Sequence, residues 1–207
     1  GITPLKPPKK PKIEGLQENK LLLMPTIEAH FGKFSHEMLT GTNYDLQIAR
    51  ERTQEVFTAF LEKQREVKAS TCLVVIGGDY FNSESDGKTT NGTPQQNDSK
   101  PLRIFIEGTK CYKDGLIALS KVFDRVDVML APGNHAFHEE GKMFVALQCA
   151  FENYDNINVI EDYTSTIAYQ FGETALFFNH GAANDKRTLH SLSADFPKIW
   201  GNTVVRY

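Results

Sequence analysis

The segment "VDVMLAPGNHAFHEE", residues 126–140, changes character abruptly at its centre. A mostly apolar run from Val126 to Leu130 stops at Pro132-Gly133, and Asn134 and His135 follow at once. A short apolar run that ends at turn residues is typical of a buried strand. The segment therefore predicts a buried strand whose end presents an amide and an imidazole.

Strands and helices alternate around this segment. Short apolar runs predict strands at 20–27, 71–78, 126–131 and 156–161, within 166–181, and at 202–207. Apolar residues at helical spacing predict helices over 43–68, about 101–123 and 139–154, and Asn43 could cap the first of them. This alternation predicts an α/β fold with right-handed crossovers and a mostly parallel sheet.

The N-terminal residues differ from the rest of the chain. Four prolines and four lysines occur among the first 12 residues, which leaves little apolar surface to bury. We predict that residues 1–19 are a basic Pro/Lys-rich linker or a tail next to a tag, and that 20–207 form one domain. A basic arm that touches phosphate is the functional alternative for the tail.

Composition excludes several classes of protein. The formal net charge of −3 over 207 residues creates no general attraction to nucleic acid or membrane, and no apolar run approaches the 18 residues of a membrane span. Cys72, Cys111 and Cys149 are widely spaced and form no C-x-x-C pair, which argues against a structural, cysteine-ligated zinc site and against a disulfide framework. Reduced thiols predict a cytoplasmic location.

Polar residues follow the predicted strands at the point where each strand ends. In chain order they are Glu28 and His30, Asp79 and Asn82, Asn134 and His135, and Asn179 and His180. Ligands of open α/β sheets bind at the carboxyl ends of the strands, so the four segments are expected to meet in one cleft.

These side chains are of the types that bind a metal. Carboxylate, imidazole and amide oxygen suit a mixed nitrogen and oxygen site for manganese, iron or zinc. Each residue alone has an ordinary alternative, since a single histidine at a strand end is more often hydrogen-bonded than metal-bound. The order and placement of all four segments together favour the metal site.

The four segments resemble the motifs of the calcineurin-like metallophosphoesterase family. That family carries D-x-H, G-D-x-x-(D/N/H), G-N-H-(D/E) and a single histidine in this order; the chain has E-A-H (28–30), G-D-Y-F-N (78–82), G-N-H-A (133–136) and N-H-G (179–181). The segment 40–49 and the long loop after Asp79 are similar to the DNA-repair-exonuclease-like branch, which is often found in phage genomes. The resemblance implies a four-layer α/β/β/α sandwich with mixed sheets.

The resemblance also implies a reaction and a role for each residue. It implies hydrolysis of a phosphodiester, such as DNA or a nucleotide, by two divalent ions, with Mn²⁺ as the first choice and Fe, Zn, Mg or Ni as alternatives. Asp79 would bridge the two ions and His135 would act on the leaving group. Glu28 and His30 would hold the first ion, Asn134 and His180 the second, and Asn82 would orient the bridge or contact substrate. The implied location is the cytoplasm, the host's if the gene is phage-encoded, with no membrane partner; the oligomeric state stays open.

Three departures from the family pattern support an alternative function. Glu28 stands where aspartate is usual, and Ala136 stands where an acidic residue follows G-N-H, unless Glu139 or Glu140 replaces it. No G-H-x-H follows, because the sequence stops at Tyr207, so part of the C-terminal fold is expected to be missing. The alternatives are a weakened or inactive module that binds phosphate or nucleic acid or acts as a scaffold, and a phosphomonoesterase.

Overall fold

The computed structural model describes residues 14–181 and 188–207. Strands and helices alternate through the first part of the chain, as the sequence predicts. The strands are β1 (Gln17–Ile27), β2 (Ala69–Gly77), β3 (Arg125–Ala131), β4 (Ile157–Val159), β5 (Thr166–Phe171), β6 (Thr174–Asn179) and β7 (Val205–Arg206). The helices are α1 (Glu37–Thr40), α2 (Leu46–Val67), α3 (Pro101–Ser120), α4 (Phe137–Phe151), α5 (Thr188–Asp195) and α6 (Pro197–Asn202).

The first sheet has the strand order β1-β2-β3-β4, and all of its strands are parallel. Ile27 pairs with Gly77, and Gly77 pairs with Ala131. The first three strands therefore end side by side, so the residues that follow them leave the sheet at one edge.

Strand β2 lies at the centre of the core and is buried at every position. Cys72, Val74 and Ile76 belong to the core cluster that this sheet forms with helices α2, α3 and α4. Leu73 and Val75, which alternate with them, belong to a second cluster with side chains of β5 and β6. Because successive side chains point to opposite faces, both faces of the sheet are covered, which explains why β2 is apolar without alternation.

The second sheet consists of the antiparallel pair β5-β6 and of β7, which pairs with β6 in parallel. Its residue Phe177 packs against Phe196 and Trp200, with ring centroids 5.7 and 6.4 Å apart. One core cluster thus joins the first sheet to α2, α3 and α4, and the other joins it to β5 and β6. The predicted α/β class is confirmed; of the two sheets, the second is mixed and the first is wholly parallel.

Some local expectations differ from the structure. Strand β1 begins at Gln17, so residues 17–19 belong to the sheet although the sequence placed them in the tail. Asp45, not Asn43, caps α2 by accepting a hydrogen bond from the Ile48 N–H at 2.8 Å. Asn43 instead accepts the N–H of Glu37 at 2.8 Å, at the start of α1. Within the described ranges, no helix combines the length and the apolar character needed to cross a bilayer.

Candidate metal centre

Backbone hydrogen bonds join the loops that leave the first sheet. The N–H of Glu28 donates to the carbonyl of Gly78 at 2.6 Å, and the N–H of His30 donates to that of Asp79 at 3.0 Å. The N–H of Gly78 donates to Ala131 at 2.7 Å. The three strands therefore stay in register past their ends, and this register sets the positions of the polar side chains.

Three residues of these loops have an uncommon backbone conformation. The φ angles of Glu28, His30 and Asp79 are 57°, 44° and 64°, in the left-handed region that residues other than glycine rarely adopt. Such conformations cost energy and persist only where surrounding contacts hold the backbone in place, and they concentrate at functional sites. Here the hydrogen bonds between the loops hold all three.

Glu28, Asp79 and His180 form a compact cluster of donor atoms. One ligand atom from each residue lies within 4.8 Å of the other two. His180 Nε2 is 3.2 Å from Glu28 Oε1 and 3.3 Å from Asp79 Oδ2. His30 adjoins this cluster, since its Nε2 is 3.2 Å from Glu28 Oε2. The structure thus brings together four of the five predicted metal ligands.

The donor set fits a divalent cation. Two carboxylates this close repel each other unless a positive charge lies between them, and Asp79 is only 4% exposed. Burial is the main cause that lowers the pKa of His30, the nearby His135 adds to it, and Asp79 and Glu28 oppose it. A lowered pKa keeps the His30 ring neutral, as a metal ligand must be. Its Nδ1 is buried without a hydrogen-bond partner among the described residues.

His135 is fixed beside the cluster by its backbone and its ring. Its N–H donates to Asp79 Oδ1 at 2.7 Å, and its ring Nδ1 lies 2.9 Å from the carbonyl oxygen of Asn82. Because a carbonyl only accepts, Nδ1 carries the proton, and Nε2 is directed elsewhere. Nε2 lies 4.0 Å from Asp79 Oδ2, and the side chain is 22% exposed.

Two predicted site residues have a different setting from the one expected. The amide of Asn82 donates to the Gln96 carbonyl at 3.0 Å and to Asn97 Oδ1 at 2.9 Å, and Asn82 is 2% exposed. It therefore pins the long loop, and a side chain so buried does not fit the predicted contact with substrate. Asn134 is exposed, and within the described residues its side chain forms no hydrogen bond to the cluster.

Gly133 packs directly against Asp79. A Cβ atom at this position would lie 2.1 Å from Asp79 Oδ1 and 2.2 Å from its backbone nitrogen. Those distances are far below contact range, so only glycine lets the two loops approach this closely.

We expect Gly133→Ala to destabilise the chain by about 1–3 kcal/mol, because the added methyl group must displace Asp79. Gly141→Ala is the matched control, since Gly141 lies in α4 with nothing within 4 Å of its Cβ position. That change is expected to stabilise by about 0.5–1 kcal/mol. Urea unfolding of both variants measures the contrast, and equal effects would contradict the role assigned to Gly133.

Glu140 is a residue of the site whose role the sequence left open. It is 0% exposed, and its carboxylate accepts the N–H of Tyr80 at 2.7 Å and that of Gly133 at 3.0 Å. It lies one helical turn after Ala136, and its own N–H bonds the Ala136 carbonyl at 2.9 Å. Glu140 therefore joins the Asp79 loop to the Gly-Asn-His loop. It does not orient His135, whose ring is held by Asn82 instead.

Burial raises the pKa of Glu140 to about 7; the N–H groups of Gly133 and Tyr80 oppose the rise, and Asp79 adds to it. The pKa of Glu140 in the folded chain exceeds its unfolded value of about 4.3. The contribution of protonated Glu140 to the free energy of unfolding is therefore complete below about pH 4 and is lost as the pH rises through about 7. Without metal, the unfolding free energy of the wild type relative to Glu140→Gln should fall by roughly 3 kcal/mol over this window. Urea unfolding in EDTA at a series of pH values measures it, and a difference that does not change with pH would contradict it.

The loop between β2 and α3 caps helix α4. Glu84 accepts the N–H groups of His138 at 3.1 Å and Glu139 at 3.2 Å, and Thr90 Oγ1 accepts that of Phe137 at 3.1 Å. Ala136, the residue before the helix, has no side-chain acceptor for these groups. The loop is therefore part of the framework of the site.

Comparisons of the chain with protein-family models, curated proteins and solved structures found no match. The functional assignment therefore depends on the residues of the site and on their geometry.

Proposed function

We propose that this chain hydrolyses a phosphodiester at the Glu28–Asp79–His180 cluster in a metal-dependent reaction. The observation that carries the proposal is the meeting of two carboxylates and an imidazole within 4.8 Å at the carboxyl edge of a parallel sheet. They come from three of the four segments that resemble the metallophosphoesterase motifs, and His135 of the remaining segment lies beside them. The succession of helices and two sheets is compatible with the four-layer sandwich of that family, which we include in the proposal.

The proposed cofactor is a pair of divalent ions, with Mn²⁺ as the first choice. Glu28, Asp79 and His180 would hold one ion, and His30 and Asn134 are the ligands left for a second. A bound ion would supply a water of lowered pKa and a positive charge that clamps the phosphoryl oxygens. The observed cluster mixes ligands that the sequence assigned to different ions, since Glu28 was assigned to the first and His180 to the second.

The chain's own residues would bind the substrate and move the proton. With Nδ1–H held by the Asn82 carbonyl, a protonated His135 can deliver its Nε2 proton to the leaving oxygen. Asp79 places this residue, because its Oδ1 accepts the His135 N–H. Glu140 keeps the two loops at a fixed separation and so keeps His135 at a fixed distance from the ligands.

The proposed substrate is DNA or a nucleotide, and the proposed location is the cytoplasm. All three cysteines are free, with Cys72 and Cys111 buried and Cys149 exposed, as suits a reducing compartment.

The test is hydrolysis of bis(p-nitrophenyl) phosphate by the purified chain with Mn²⁺. We expect turnover that EDTA abolishes and that fresh Mn²⁺ restores. Preference for p-nitrophenyl phosphate would indicate a phosphomonoesterase instead. Absence of metal-dependent turnover with either ester would contradict the proposal.

The alternative is a non-catalytic module that binds phosphate or nucleic acid. The observation in its favour is Glu28, which stands where the family has aspartate and whose side chain is 54% exposed. The two functions differ in one result: the module would still show a Mn²⁺-dependent rise in melting temperature while no ester is hydrolysed.

A further inference from the structure

A cavity adjoins the candidate metal centre on the side of the edge strand β1. Its volume is about 230 Å³, and it lies between the end of β1 and helix α2. Glu28, one of the clustered ligands, forms part of its wall. A group bound in this cavity would thus lie next to a phosphate held at the cluster.

The walls of the cavity include apolar surface that is exposed to solvent. Ile27 is 54% exposed and Val56 is 39% exposed, and both line the cavity. Ligand pockets are lined mostly by such side chains, with a few polar groups that fix orientation. An apolar part of a ligand could cover both residues.

Arg52 contributes a cation to the same cavity. Its guanidinium carbon lies 5.2 Å from the ring centroid of Tyr44, which also lines the cavity. The Tyr44 hydroxyl donates to the Ala29 carbonyl at 2.5 Å, which fixes the ring. Among the residues that the structure describes, no carboxylate forms a salt bridge with Arg52.

Arg50 lies two residues earlier on the same helix, but its side chain lies outside the cavity and pairs with a carboxylate. It faces the groove between α2 and α3 and lies 3.4 Å from Glu107. The helix therefore carries one paired arginine outside the cavity and one arginine stacked on tyrosine inside it.

We propose that this cavity, the Arg52 pocket, binds the base of a single nucleotide whose phosphate lies at the Glu28–Asp79–His180 cluster. The proposal names the substrate class of the function proposed above and rests on it. A guanidinium held on an aromatic ring and flanked by apolar side chains suits the face of a planar base, since every base can stack on such a surface. The volume lies below the roughly 300–1,000 Å³ of pockets for larger ligands, which favours one base over an oligonucleotide.

The test compares AMP with ribose 5-phosphate, which lacks the base, by titration calorimetry at saturating Mn²⁺. We expect the wild type to bind AMP roughly tenfold or more tightly, as one stacked base provides. Arg52→Ala should reduce this ratio to near one, and Arg50→Ala should leave it unchanged. Equal melting temperatures of the two variants would establish that both are folded.

Arg52→Lys separates base binding from simple anion binding. Lysine keeps the charge and lacks the planar face, so the preference for AMP should largely disappear. The inference is overturned if the wild type binds both compounds equally, if Arg52→Ala keeps the ratio, or if Arg52→Ala weakens both compounds alike. The ratio does not require turnover, so its result is distinct from the hydrolysis test of the proposed function.

Discussion

Asp79→Asn is expected to abolish the binding of Mn²⁺ and, with it, metal-dependent hydrolysis. Asp79 supplies the buried negative charge of the cluster, with Oδ2 3.3 Å from His180 Nε2 and Oδ1 bonded to the His135 N–H. An amide has nearly the same shape and no charge, so the loss would be electrostatic and not due to packing. Asparagine also removes the repulsion from Glu28, so the metal-free variant should be at least as stable as the wild type.

Thermal unfolding with and without Mn²⁺ measures this effect. A ligand that binds only the folded state stabilises it by about 2.7 kcal/mol at one hundred times its Kd, and Asp79→Asn should lose the corresponding rise in melting temperature. Asp86→Asn is the matched control, since that carboxylate lies in the same loop with a side chain 61% exposed. A full Mn²⁺-dependent rise in the Asp79→Asn variant would contradict the assignment of the cluster.

His135→Ala is expected to lower turnover by a factor on the order of 10²–10⁴ while metal binding persists. The ring Nδ1 is bonded to the Asn82 carbonyl, and Nε2 is 4.0 Å from Asp79 Oδ2, so the ring is placed to donate a proton. Its backbone N–H, which bonds Asp79, is kept in the alanine variant. The cluster should therefore retain its geometry and its affinity for Mn²⁺.

Steady-state hydrolysis and the Mn²⁺-dependent melting shift, measured on the same preparation, separate the two effects. His138→Ala serves as the control, because His138 is exposed and pairs with Glu84 at 2.9 Å at the helix surface. It should keep turnover within a few-fold of the wild type. If His135→Ala loses the melting shift as fully as Asp79→Asn, then His135 is a metal ligand and its proposed role is wrong.

The pattern of apolar runs predicted the main elements and the edge at which the site lies. Strand ends are visible in sequence because a buried strand must stop at residues that turn the chain, as at Gly77 and Gly133. The rule that parallel strands carry ligands at their carboxyl ends accounts for Glu28 and Asp79, which follow β1 and β2. His180 follows β6 of the second sheet, so that rule does not account for its place in the cluster. Helix α1 has four residues, too few to show a period, and was not predicted.

The supporting contacts of the site could not be predicted from local patterns. The Glu140 carboxylate accepts a hydrogen bond from the N–H of Tyr80, 60 positions earlier, and this contact depends on how α4 packs against the loop. The side-chain amide of Asn82 donates a hydrogen bond to Asn97 of the same loop. This contact depends on where the loop brings Asn97, which local sequence patterns do not show. Asp45 and not Asn43 caps α2, and the two positions differ by only two residues. Residue propensities do not locate the start of a helix that accurately.

The central claim is that Glu28, Asp79 and His180 bind a divalent ion together. The most direct measurement is anomalous diffraction from crystals of this chain grown with saturating Mn²⁺. We predict a manganese peak within coordination distance of a carboxylate oxygen of Glu28 and of Asp79 and of a ring nitrogen of His180. A map with no manganese at these three residues, or with manganese only elsewhere in the chain, would contradict the account.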